Sequence, residues 1–368
     1  MSTKSRAAVF YKVGSPVELR DFDLPVEMEK GSAVCRVTFS TICGSDLHTT
    51  TGRRVEPTPL ILGHEIVGEI VKLDSGLKTD GFGNKLAVGD RISWTIMASC
   101  GECFFCKKGL PQKCVNLKKY GHASIDDKEL NSGPVGGYSQ YIYIMPGTTV
   151  YKVPDSLSDE IAAPANCALS TVVNAVETIG IEKNDIVMIQ GAGLLGLNAC
   201  ALAVEAGAKE VIVTDVIDER LAMAKLFGAT KTYNTLKVKE DDILTELKAM
   251  SGGFGIDVVI EVCGAKQVVG LAIKALRIGG RYLLAGLVNP GSTLEGIDAN
   301  QIIRKYITIK GIHNYRPEHL GTALKFLEKY KDKYPFHKIV SKVYSLEQIN
   351  EALAESETGK HIRVGIKP

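Results

Sequence analysis

Apolar positions in residues 6–160 come in short runs rather than long helical stripes. Residues 33–39, 65–73 and 140–144 are rich in β-branched and aromatic side chains and are bounded by Gly and Pro. That pattern predicts strands joined by irregular loops. Near Ile161 the pattern changes. Strands are expected at 185–190, 210–214, 257–262 and 281–285, and helices at 194–206, 219–227 and 268–277. The alternation predicts βαβ units on a parallel sheet with helices on both faces. Its uninterrupted Val/Ile runs suit strands buried on both sides. After about Gly311, a helix over 319–330 and a terminal strand over 362–366 complete the pattern.

A chain of 368 residues exceeds one ordinary core, so two domains are expected. Lys plus Arg (44) nearly balance Asp plus Glu (42), which argues against nucleic acid or an anionic membrane as partner. Residues 186–208 have the length of a membrane span. Gln190, Asn198, Glu205 and four glycines interrupt them, and a strand, a turn and a helix explain them better. The first eleven residues lack the charged region, apolar core and cleavage site of a secretory signal. The nine cysteines therefore read as reduced, in a cytoplasmic protein.

Gly191-Ala192-Gly193-Leu194-Leu195-Gly196 follows an expected strand and opens an expected helix. With 37 glycines in the chain the match alone says little; its strand–turn–helix context is what a dinucleotide site requires. The first glycine permits the turn, the second lets the backbone approach a pyrophosphate, and the third lets helix and strand pack. The helix N-terminus offers unpaired N–H groups to phosphate. Asp215 closes the next strand, 22 residues beyond Gly193. Its carboxylate suits the ribose hydroxyls of NAD and would repel the 2′-phosphate of NADP.

Cys100, Cys103, Cys106 and Cys114 crowd into 15 residues. Four thiolates can close a tetrahedral shell on zinc and leave no position for substrate, so this metal reads as structural. An iron–sulfur cluster is the alternative, although the spacing differs from the ferredoxin runs. Elsewhere stand Cys43-Gly44-Ser45-Asp46-Leu47-His48, then Gly63-His64-Glu65, and much later Cys167. Thiolate, imidazole and thiolate suit an open catalytic zinc. Physics alone does not gather them, since a lone His beside Glu usually reads as structural and a lone Cys as core.

Taken in order, these five motifs resemble those of the zinc-containing medium-chain alcohol dehydrogenases, and the likeness runs from residues 6–9 to residues 359–363. The resemblance implies an α/β fold: a doubly wound parallel-sheet NAD domain (Rossmann) at 169–312, and a β-rich GroES-like catalytic domain at 1–168 completed by 313–368. The active site is expected in the cleft between them. Two zinc ions per subunit are implied, one structural and one catalytic, the latter on Cys43, His64 and Cys167. Glu65 would bind the metal transiently and Asp46 would orient His64. Ser45 would take the alcohol proton and pass it through the cofactor ribose to His48. Arg363 would contact the cofactor pyrophosphate. Hydride would pass between a small alcohol and NAD, giving an aldehyde or ketone.

By the same resemblance the protein is a homodimer or homotetramer, with residues 287–309 as a subunit contact. Residues 162–169 are similar to those of a subgroup labelled phosphonate-catabolism-associated alcohol dehydrogenases. Residues 74–89 are longer than the family pattern, which predicts an extended surface hairpin. Trp94 and Ile96, just before the zinc loop, are the candidates for contact with substrate. The alternatives are a polyol or amino-alcohol dehydrogenase, and a non-catalytic dinucleotide-binding protein on the same scaffold.

Overall fold

The computed structural model describes residues 4–127, 130, 133–294 and 297–368. They form two compact units, Met1–Ser170 with Arg316–Pro368, and Thr171–Tyr315.

The first unit is built on an eight-stranded sheet. Its path runs Val340–Ser345, Arg363–Lys367, Ala33–Thr41, Glu65–Leu73, Arg91–Ala98 and Lys118–Lys119; Tyr141–Ile144 joins Ala33–Thr41, and Thr148–Lys152 joins Arg91–Ala98. A three-stranded sheet, Glu18–Asp23, Lys4–Phe10 and Leu60–Ile61, is tied on by a bridge between Ala7 and Ser139. Trp94, Tyr120, Tyr143, Ile70 and Ile92 pack in the main core. Two register shifts between Ala33–Thr41 and Glu65–Leu73 bend the pair.

That pairing decides where the chemistry lies. Thr41 faces Glu65 across the ladder, and Gly365 of the C-terminal strand faces Thr41 from the other side. Residues just beyond Thr41, just before Glu65 and just before Gly365 therefore meet at one end of the sheet, although some 300 residues separate the first from the last.

The second unit is a six-stranded sheet, parallel throughout, in the order Lys231–Asn234, Glu210–Asp215, Ile186–Gln190, Ile256–Glu261, Leu276–Leu284, Thr308–Gly311. This is the doubly wound order in which the chain reverses beside its first strand. Ile186–Gln190 is buried along its whole length, as its apolar run predicts. The two edge strands, Lys231–Asn234 and Thr308–Gly311, carry no such run: the second is exposed at every position. An edge strand needs only one neighbour, so its sequence signal is faint.

Residues 74–89 correct an expectation. They make no extended hairpin; a single bridge, Thr79 to Lys85, joins their two arms. The Asp80 carboxylate accepts the N–H groups of Phe82, Asn84 and Lys152, and Gly81 N–H donates to the Val150 carbonyl. The Phe82 ring lies 4.8 Å from that of Tyr151, with the Lys325 ammonium 3.9 Å from its centroid. Those contacts fold the insertion back against the unit. No helix among the described residues is long and apolar enough to cross a membrane. Residues 186–208 hold a strand, a glycine turn and the helix Leu194–Glu205.

Candidate active site and metal centres

Cys43 ends the connection out of Ala33–Thr41 and caps the short helix Gly44–Thr50. His64 directly precedes Glu65–Leu73, and Cys167 follows the 3-10 turn Ala163–Asn166. Their donor atoms all lie within 4.8 Å of one another. Zinc bonds of about 2.3 Å to sulfur and about 2.0–2.1 Å to nitrogen require donor separations of roughly 3.5–3.8 Å in a tetrahedron, so small shifts accommodate the ion. The two thiols interact. Contact with Cys167, aided by the charges of Arg363 and His64, holds Cys43 well below the usual thiol range, and the same contact pushes Cys167 up.

Asp46 holds this arrangement from behind and is fully buried. Its Oδ2 accepts Cys43 N–H at 2.9 Å and the Tyr138 hydroxyl at 3.0 Å. Its Oδ1 accepts Gly63 N–H at 3.2 Å and lies 3.4 Å from His64 Nδ1. One carboxylate thus ties both ligand segments together and turns the His64 ring so that Nε2 points away from it. Nε2 lies 3.3 Å from Ser45 Oγ. Gly63 has φ of +87°, and a Cβ there would stand 2.7 Å from the Tyr138 ring. The glycine before His64 is therefore a packing requirement. His48, on the same helix, is half-buried, and burial together with Arg53 lowers its pKa.

Glu65 and Arg363 form a buried pair. Arg363 donates from Nε at 2.8 Å and Nη2 at 2.9 Å to the two carboxylate oxygens, and the Thr41 hydroxyl donates to the same carboxylate. Burial nonetheless pushes the Glu65 pKa up to about 7, against the lowering effect of Arg363. Arg363 also lies 3.6 Å from Cys43 Sγ and donates to the Ile362 carbonyl. Its expected place was a cofactor pyrophosphate. In this structure its guanidinium fork is hydrogen-bonded to the buried Glu65 carboxylate.

The four-cysteine loop has the dimensions of a thiolate cage. All four sulfurs lie within 4.8 Å of one another, with Cys114 Sγ 3.4 Å from Cys100 Sγ and 3.9 Å from Cys103 Sγ. A tetrahedron with bonds of about 2.3 Å has edges of about 3.8 Å. Backbone N–H groups of Cys106 and Val115 draw the Cys103 thiol down to about 6, which favours the thiolate that a metal binds.

In the second unit, Gly191 has φ of +110°, and a Cβ on Gly196 would stand 1.8 Å from the Gly191 carbonyl oxygen. Nothing lies within 4 Å of where a Gly193 Cβ would be, so the backbone there is open to approach. Gly193 caps the helix Leu194–Glu205, and the N–H groups of Leu194 and Leu195 in its first turn have no intrahelical acceptor. Asp215 accepts Ala192 N–H at 2.6 Å on one oxygen, and Val216 and Ile217 N–H at 2.7 and 3.0 Å on the other. It therefore braces the glycine turn. Gly196→Ala is expected to cost about 1–3 kcal/mol through overpacking. Urea denaturation checks this; an unchanged midpoint would mean that helix and strand are not in contact.

Three participants were not foreseen from sequence. Tyr138 and Thr41 bind the Asp46 and Glu65 carboxylates, and the His122 ring lies 4.9 Å from that of His64. Their residue types carry no motif; only the fold brings them in.

Comparison with known proteins agrees with this construction. The family described as alcohol dehydrogenase GroES-like domain matches residues 29–155, and that described as zinc-binding dehydrogenase matches residues 195–329. The 5-exo-hydroxycamphor dehydrogenase of Pseudomonas putida is 29% identical, over 98% of this chain and 97% of its own. The L-threonine 3-dehydrogenase of Pseudoalteromonas translucida is 30% identical, over 91% and 93%. An alcohol dehydrogenase structure from Thermotoga maritima has a TM-score of 0.91 at 29% identity and covers 100% of both chains. Fold and matches together define a dehydrogenase scaffold with a GroES-like domain and a Rossmann-type domain. The chain belongs to the zinc-containing medium-chain alcohol dehydrogenase family, as the ordered motifs implied.

Proposed function

We propose that the protein is an NAD-linked alcohol dehydrogenase that holds one catalytic and one structural zinc per chain. The observation that carries this reading is the convergence of Cys43, His64 and Cys167, three donors from distant parts of the chain, within 4.8 Å. When bound, zinc would supply Lewis acidity at the alcohol oxygen and the nicotinamide would accept the hydride.

The chain's own residues would do the rest. Asp46 orients His64, and Glu65, paired with Arg363, stands beside the donor set. Ser45 Oγ, on the His64 Nε2 side, is positioned to take the alcohol proton. His48 follows it by three residues on one short helix, so the two share a face. Its lowered pKa leaves it neutral near pH 7 and able to accept that proton. The names of the relatives, a hydroxycamphor and a threonine dehydrogenase, support a secondary or amino alcohol as readily as a simple one. Asp215, with no cation among the two residues that follow it, supports NAD over NADP. The two thiolate sets suit a reducing compartment such as the cytoplasm.

Assembly as a homodimer or homotetramer fits the exposed edge strand Thr308–Gly311 and the exposed Tyr306 beside it. Residues 295 and 296, within the expected contact 287–309, lie outside the described residues.

The test is NAD reduction over a panel of simple alcohols, sugar alcohols, threonine and 2-hydroxyethylphosphonate, before and after chelation. Turnover lost on zinc removal and regained with zinc is expected. Cofactor binding with no turnover on any alcohol would favour the non-catalytic reading. In the same assay Asp215→Ser should move the preference towards NADP.

A further inference from the structure

Near His122, whose ring lies against that of the His64 donor, stands a cation with no ion-pair partner among the described residues, Lys119. Outward from His64 come His122, with ring centroids 4.9 Å apart, then Glu56, whose Oε1 is 3.4 Å from His122 Nδ1, then Arg54, whose Nε is 2.5 Å from the same oxygen. Glu56, Lys118, Lys119, His122, Ser124 and Asp127 contribute to the walls of an adjoining cavity of about 340 Å³. Lys118 is paired with Asp127 at 3.1 Å, and Glu56 is engaged by Arg54. His122 is buried and forms part of the cavity wall. Lys119 has no ion-pair partner among the described residues and is partly buried, with Arg54 and Lys113 as cationic neighbours and the Glu56 carboxylate acting against them.

The strand that pairs with Lys119 is also tied to the segment just before Cys167. Lys119 pairs with Met97 in the strand Arg91–Ala98, where the Trp94 carbonyl accepts the side chain of Asn166, the residue before Cys167. Burial and the neighbouring Arg54 charge lower the Lys119 pKa. An anion placed here would relieve that repulsion. A neutral alcohol would leave a partly buried ammonium without an ion-pair partner among the described residues.

We propose that the alcohol oxidised at this site carries an anionic group, a carboxylate or a phosphonate, and that Lys119, assisted by Arg54, binds it while the hydroxyl meets the metal donors. The inference rests on the dehydrogenase reading. Ile96, a position the sequence marked for substrate, is on the neighbouring strand: its carbonyl accepts the N–H of Tyr120, next to Lys119.

The experiment uses zinc-loaded, full-length enzyme and matched pairs: 3-hydroxybutanoate against its methyl ester, and 2-hydroxyethylphosphonate against its dimethyl ester. The acids should be favoured in kcat/KM, and the better acid distinguishes carboxylate from phosphonate. Lys119→Ala should lower that preference about tenfold to hundredfold, mainly through KM, and Lys119→Arg should restore most of it. Calorimetry with the unreactive anions butyrate and propylphosphonate supplies a readout independent of turnover; binding should vanish in Lys119→Ala. Esters used as well as acids, or a Lys119→Ala loss equal for both, would overturn the proposal. If no alcohol is oxidised yet an anion binds through Lys119, the dehydrogenase reading fails and the anion site stands. If no anion binds the parent enzyme, the anion site fails whatever the turnover.

Discussion

His64→Ala is expected to reduce NAD-dependent alcohol oxidation by roughly 10³-fold or more and to lower the zinc content from two ions per chain to one. The imidazole is the one nitrogen donor in the set, and Asp46 and Gly63 are arranged around it. Without it two thiols remain, too few to hold an ion in an open tetrahedral site. Lewis-acid stabilisation worth several kcal/mol would go with the metal, and each 1.36 kcal/mol is a factor of ten, hence the size of the loss. The four-cysteine loop is untouched, so one zinc should stay. Asp46→Asn should be milder, about 10–100-fold in zinc affinity, because it disturbs the orientation of the imidazole and keeps the donor. Elemental analysis beside steady-state kinetics checks both. Two zinc ions and full activity in His64→Ala would remove this residue from the site.

Arg363→Met is expected to destabilise the fold by about 3–5 kcal/mol. Arg363 supplies two hydrogen bonds to Glu65, whose side chain is wholly buried, and its own side chain is only 9% exposed. Removing one member leaves a buried carboxylate to which, among the described side chains, the Thr41 hydroxyl still donates. That carboxylate must then pick up a proton or open the site to water. The pair as a whole is a different matter: desolvation of two ions nearly cancels their attraction, so replacing both with apolar residues should recover much of the loss. The double variant Glu65→Leu, Arg363→Met should therefore be more stable than Arg363→Met alone. For a unit of this size the single variant should lower the thermal midpoint by roughly 10 °C. Calorimetry on zinc-loaded protein measures it. A midpoint within 2 °C of the parent, an arbitrary but about fivefold smaller shift, would mean that Glu65 has found another partner.

Much of this was legible from residue order. The alternation after residue 161 marked the parallel sheet, because strands buried on both faces must be apolar along their length and Ile186–Gln190 is. The glycine loop was readable because each of its glycines answers a local steric demand; a Cβ on Gly196 meets a carbonyl five residues back in the same turn. The four-cysteine loop was readable for a similar reason: its ligands are close in sequence, so spacing stands in for distance. Polar edge strands such as Thr308–Gly311 were not legible, and neither was the way residues 74–89 fold back, since the anchoring contact from Phe82 goes to Tyr151.

Arg363 shows where sequence reasoning stops. The family resemblance implied a pyrophosphate contact for it; its guanidinium is hydrogen-bonded to Glu65, 298 residues earlier. No local pattern specifies that pairing. It follows from Gly365 facing Thr41 and Thr41 facing Glu65 in adjacent ladders.

By itself, then, the chain's order of residues determined the periodicities, the glycine turn and the four-thiolate loop. These depend on interactions among near neighbours, and backbone sterics and short-range spacing decide them. Only the tertiary structure decided that Cys43, His64 and Cys167 share one small volume, that Asp46 and Tyr138 stand behind them, and that Lys119 lines a cavity with His122 and has no ion-pair partner among the described residues. The reason is that strand register converts a contact between distant residues into a fixed distance, and register is set by the burial of whole faces of a sheet rather than by any residue in the site.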